Sequence, residues 1–262
     1  MKENRMRGLT VMLLASLVSV SAEAGVVLKV DTKDDSGKSV PNEVYYAQDG
    51  MLRIDSLDAR GSVARVEVVR DGVIWQIDPR ERTFTRIDQA ALKQLFGGGD
   101  ARLEAMLANL PPERRALMEA RMAQMRQKAA HTEYTFSDAG RGDHAGQYSC
   151  RVWQEQRDGK PFAEYCVVPA SSLPAGAELD AALKKAVATT EQLVAGVPQL
   201  AKQAEHLTRL GKLGGFPASW HFVSSATDVH VLSSARAESL PADKFAIPQG
   251  YTEKAPDAGA GN

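Results

Sequence analysis

This chain of 262 residues lacks every common catalytic signature. It has no G-x-S-x-G elbow, no H-E-x-x-H, no P-loop and no dinucleotide fingerprint. No nucleophile–base pair can be named, so the reading is a non-catalytic protein with no cofactor. Cysteine is scarce: there are two, with no C-x-x-C, which argues against a thiolate metal site, and no metal is expected. Lys and Arg number 32 against 33 Asp and Glu, with no basic tract, which removes the electrostatic case for nucleic acid. Beyond residue 24 no apolar run approaches the ~20 residues a membrane-spanning helix needs. Membrane contact is therefore expected to be transient at most.

The opening of the chain has a pattern of its own. Lys2, Arg5 and Arg7 precede an apolar run from Leu9 to Val20, and Ala22-x-Ala24 then offers small residues before Gly25. That is the layout of a secretory signal peptide, with cleavage after Ala24 and residues 1–24 removed. No cysteine stands near the cleavage point to carry a lipid anchor. The expectation is an exported, periplasmic protein.

Cys150 and Cys166 flank Arg157-Asp158-Gly159, a hairpin signal. If the turn centres on Asp158, the two cysteines lie opposite each other, within disulfide reach. An oxidising compartment favours that bond over a metal or redox thiol pair.

Three β blocks alternate with two helical stretches. Residues 25–87 read as a meander, with turns at Asp49-Gly50 and Asp71-Gly72. Pairing about Asp71-Gly72 sets Val68 opposite Trp75 and Val66 opposite Ile77, on one apolar face. Gly97-Gly98-Gly99 reads as a hinge, and helix then resumes through Leu103, Met106, Leu107 and Leu110, and again after Pro111-Pro112. A second β block covers 132–168. A helical stripe follows from Leu179 through Leu183, Val187, Leu193, Val197, Leu200, Ala204 and Leu207, which Gly196 and Pro198 should break. The last block spans 216–246, and the tail from 255 to 262 should be disordered. The fold class is α+β: about eleven strands in a curved antiparallel sheet, an incomplete β-barrel, with helices across its concave face.

Met118, Met122 and Met125 recur at helical spacing, with Met106 on the preceding segment. Three readings stay open: core packing, an adaptable lid lining an apolar ligand site, and soft thioether ligands for Cu(I). Arg114, Arg115, Arg121, Arg126 and Lys128 rim the same helix, either as a solvated face or as a contact for anionic headgroups. His221 and His230 could pair across a hairpin turning at Ser225-Ala226. Trp75, Trp153 and Trp220 read as large strand-borne core residues.

Asp71-Gly72-x-x-Trp75-x-x-Asp78-Pro79 resembles a segment of the periplasmic LolA/LolB-like lipoprotein carriers, and the order of elements is similar. Gly142, Gly146, Cys150, Trp153, Asp158-Gly159, Cys166, Gly215-Phe216-Pro217 and Phe245-x-Ile247-Pro248-x-Gly250-Tyr251 look closer to an uncharacterised exported family within that fold. The resemblance implies a half-barrel over residues 25–254 whose mouth is plugged by helices around an apolar cavity. The expected function is carriage of an apolar or acylated ligand. The expected ligand-binding residues are Met106, Met118, Met122 and Met125 on the lid and Val66, Val68, Trp75 and Ile77 on the sheet. The alternative is a cell-envelope protein-interaction module whose cavity is permanently filled.

Overall fold

The computed structural model describes residues 24–33, 36–97, 106–131, 133–195, 197, 200, 204, 208 and 211–256, without the side chains of 125–131 and 225–228. Residues 1–23 of the expected leader, Gly98 and Gly99 of the expected hinge, Leu103, Leu207 and the tail beyond 256 lie outside them.

Six strands meander from the start: β1 (Gly25–Lys33), β2 (Ser39–Gln48), β3 (Met51–Leu57), β4 (Val63–Arg70), β5 (Val73–Asp78) and β6 (Thr83–Ile87). Helices α1 (Gln89–Gly97) and α2 (Pro112–His131) follow, then β7 (Tyr134–Ala145), β8 (Tyr148–Arg157) and β9 (Lys160–Pro169). Helix α3 (Gly176–Val194) precedes β10 (Gly215–Phe222) and β11 (Ser225–Glu238), and β12 (Thr252–Glu253) ends the series. All twelve strands form one unclosed sheet, in the order β12-β6-β5-β4-β3-β2-β1-β11-β10-β9-β8-β7. Among the described strands, only the β12–β6 pair is parallel. The strand beyond the expected eleven is accounted for by β12, two residues long and invisible to any periodicity argument.

Turn chemistry sets the registers. Asp49-Gly50, Asp71-Gly72 and Asp158-Gly159 all hold both residues at positive φ, between 53° and 73°. This is what a two-residue type I′ hairpin demands, and Asp-Gly meets it at low steric cost.

The sheet buries both faces. On the inner face, Leu179 and Ala182 of α3 join Val26, Leu28, Val30, Leu52, Val168 and Phe216 in the main core. Gly176 lets α3 start close to the chain before it, because a Cβ there would lie 1.8 Å from the Ala170 carbonyl oxygen. The backbone N–H of Asp49 donates to Glu178 Oε2 at 2.8 Å, tying the β2–β3 turn to the same helix. On the outer face, Leu240 and Phe245 of the C-terminal segment cover Val27, Val44, Val66, Val68 and Ile77. Arg53 pins this strap by donating to the Lys244 carbonyl at 2.8 Å and to buried Asp55 at 2.6 Å.

The sheet also curls. Gly146, Gln147 and Tyr148 at the β7–β8 turn line one pocket together with Asp31, Val231 and Leu232 of β1 and β11. Four strand steps separate β8 from β1 in the sheet, so a flat sheet would hold them about 19 Å apart.

Helix α3 lies across the inner face, and α1 packs on α3 and β6. Helix α2 does not share this arrangement: it packs on no described strand or helix to the extent that the other two do. Helix α3 ends at Val194; Gly196 and Pro198, at the expected break, lie outside the described residues.

Candidate functional site

The inner face of β2 to β6 changes character along the strands. Successive cross-strand pairs place Ala47, Leu52, Val69, Ile74 and Ile87 in one transverse row, wholly apolar. The next row is Tyr45, Ile54, Glu67, Gln76 and Thr85. Beyond it come Glu43, Ser56 and Arg65. Because side chains alternate across a pleated strand, every second residue adds to this one surface. The result is an apolar-to-polar gradient over three rows.

At the apolar end is a cavity of about 230 Å³ between sheet and helix. Tyr45, Leu52, Ile54 and Phe216 form its floor, and Leu183, Ala186, Val187 and Thr190 of α3 form its roof. Tyr45 and Phe216 meet edge to face, with ring centroids 5.2 Å apart. Gly211 completes the wall; a Cβ there would come within 2.1 Å of Val187 Cγ2.

The polar end has a different chemistry. The Tyr45 hydroxyl donates to Glu43 Oε2 at 2.5 Å. Burial pushes that phenol well above its usual pKa, and the negative charges of Glu43 and Glu67 add to the effect. Burial likewise raises Glu67, which Arg65 partly offsets and Glu43 reinforces. A second, separate cleft, of about 460 Å³, lies between Arg65, Gln76, Asp78 and Thr85 and the α1 residues Leu92 and Leu95. Such a surface suits an amphiphile, with its chain under α3 and its polar group over the second and third rows.

The sequence-predicted sites fall elsewhere. Val68 pairs with Trp75 and Val66 with Ile77, as the Asp-Gly turn implied. Yet Val66, Val68 and Ile77 are buried on the outer face beneath Leu240 and Phe245, and of the four only Ile77 borders the larger cleft. Trp75 packs on Phe84, with the guanidinium groups of Arg70 and Arg86 5.9 and 5.6 Å from its ring centroid. Met106 and Met118 are exposed, Met122 is half-buried, and the side chain of Met125 lies outside the described residues. The methionine set and the sheet set are not brought together. The lining of the inner cavity was missed, although the Asp49-Gly50 and Asp71-Gly72 registers already contained its rows.

Cys150 and Cys166 are disulfide-bonded, with Cα atoms 5.3 Å apart. His230 pairs with Trp220 rather than His221, because the β10–β11 turn falls at Val223-Ser224 and the register shifts beyond it. The two rings stack at 4.6 Å, and Asn42 Nδ2 and Thr32 Oγ1 meet His230 Nδ1 at 3.1 and 3.2 Å. Among the described residues no group of three or more His, Cys, Asp or Glu side chains could hold a metal ion.

No family model matches the chain, and no curated protein does. Among solved structures, the crystal structure of an uncharacterized conserved protein from Thermus thermophilus is similar at a TM-score of 0.42 and 7% identity. The match covers 88% of this chain and 90% of that one. At that level the likeness identifies neither a family nor an activity.

Proposed function

We propose that this chain is an exported, non-catalytic binding or carrier protein for an apolar or acylated ligand, a lipid or a lipidated protein, in the periplasm. The reading rests on the apolar-lined cavity between α3 and the inner face, on a sheet whose next rows are polar. The LolA/LolB-like resemblance supports the same reading. So do the leader pattern and the disulfide, which are compatible with export. Among the described residues no helix is long and apolar enough to cross a membrane.

The roof of this site is α3 in place of the methionine helix. At about 230 Å³ the cavity is below the ~300–1,000 Å³ of ordinary ligand pockets, so a long acyl chain requires α3 to shift outward. The α3 residues that line the cavity, Leu183, Ala186, Val187 and Thr190, are only partly buried, whereas Leu179, Ala182, Thr189 and Leu193 anchor the helix.

A second reading, an envelope interaction module with the cavity permanently filled, is favoured by that anchoring. Native mass spectrometry with lipid extraction, on protein purified from the periplasm, separates the two. A carrier retains lipid or takes up a fluorescent fatty acid. Neither co-purifying lipid nor probe binding would leave the interaction module.

A further inference from the structure

Three of the large apolar side chains most exposed on the described surface cluster in one stretch: Met106 (55%), Leu117 (71%) and Met118 (38%). Two of them belong to α2, whose described side chains are all exposed except the half-buried Arg115 and Met122. A helix of 20 residues is about 30 Å long and marginal in isolation, so one that packs little on the described strands and helices gains most from an external partner.

The register of α2 says which partner. At about 100° per residue, Met118, Met122 and Met125 share a narrow sector. Arg114, Arg121 and Lys128 fall along one border of that sector, and Arg115 and Arg126 along the other. Glu113, Glu119 and the exposed Leu117 fall outside it. Arg115 is occupied, since its Nε and an Nη donate to the carbonyls of Leu107 and Ala108 at 2.8 Å each. Arg114 and Arg121 are exposed and form no ion pair among the described residues. The helix thus carries five basic groups against two acidic ones in a chain of net charge −1.

We propose that α2 is an interfacial helix that docks this protein on an anionic lipid surface. The methionine stripe enters the boundary between headgroups and acyl chains, and the arginines on its borders meet the phosphates. Methionine suits this role because its unbranched thioether chain adapts to an irregular apolar layer. The charge balance also sets orientation: the remainder of the chain is net acidic, so only the α2 side is drawn to the surface. The proposal does not depend on whether the inner cavity holds a ligand.

The test is flotation of the exported protein with vesicles of phosphatidylglycerol and phosphatidylcholine, against phosphatidylcholine alone, over a range of salt. Binding is expected to the anionic vesicles only and to weaken as salt rises. Each basic residue near such a surface is worth about fivefold, so Arg114→Glu with Arg121→Glu should lower affinity by at least ~25-fold. Met118→Ser with Met122→Ser should lower it by several-fold at unchanged salt dependence. Since α2 packs little on the sheet, these variants should keep the circular dichroism spectrum and unfolding midpoint of the parent. Absence of flotation with anionic vesicles would overturn the proposal, as would equal flotation of the charge-reversed variant. Concentration-dependent dimers without flotation would assign α2 to a second copy of the chain and overturn it as well.

Discussion

Cys166 sits opposite Val152, not opposite the cysteine it is bonded to. The two-residue Asp158-Gly159 turn pairs Arg157 with Lys160, and a register shift between Glu155 and Gln156 displaces the strands once more. Cys150 therefore reaches Cys166 along a diagonal, and both sulfurs lie in the inner core beside Val168 and Ala145. The bond is part of the cooperative core and does more than clip an edge hairpin. Cys150→Ser should lower stability by about 2–5 kcal/mol in urea unfolding. Wild-type protein folded under oxidising conditions and denatured without reductant should show no titratable thiol, and the variant should show one.

Glu67 supplies a pH-dependent prediction. Burial raises its pKa above the ordinary 4.5, so the folded protein binds that proton more tightly than the unfolded chain does. Its stabilising effect is complete below pH 4.5 and is lost as pH rises through the folded-state pKa. Above that point the ionised carboxylate works against folding. Glu67→Gln should therefore have the higher urea midpoint at pH 7, and the difference should shrink toward zero below pH 4.5. An equal midpoint for the two proteins at pH 7 would show that Glu67 is fully solvated.

If the chain is the proposed carrier, filling the inner cavity should weaken uptake at least tenfold without unfolding the sheet. Ala186 lies in the part of α3 that roofs the cavity and is only half-buried. Ala186→Phe projects a ring into the space above Tyr45 and Leu52. Fluorescent fatty-acid titration should show at least a tenfold loss of affinity, at a stability cost of about 1–3 kcal/mol. Unchanged affinity would move the binding site to another part of the protein.

How far these features were legible in the sequence depends on the range of the forces behind them. The Asp71-Gly72 turn dictates Val68–Trp75 and Val66–Ile77 locally, so that register could be read directly. The Cys150 hairpin was not read to the residue: Pro161, opposite Gln156 at the register shift, donates no ladder N–H and so marks a bulge, which a simple turn-centred pairing ignores. Helix α2 was legible as a helix with a methionine stripe. Which helix covers the sheet was not, since α2 and α3 both show apolar periodicity and only tertiary packing distinguishes them. The valines of β4 were recognised as one face. Only the distant strap of Leu240 and Phe245 decides that this face is the outer one.

An unclosed sheet has two free margins, and each is an invitation to polymerise with another copy. Here neither margin is left plain. Along one, β12 lies over β6, and the backbone N–H groups of Thr252 and Lys254 donate to the carbonyls of Arg82 and Phe84. Along the other, β7 breaks its ladder between Asp138 and Gly142, where Arg141 bonds Glu164 and Arg151 pairs with Asp138. The interruption and its charges spoil the template that a neighbouring strand would need. A protein of this build can keep its sheet open and still resist strand-to-strand assembly at high concentration.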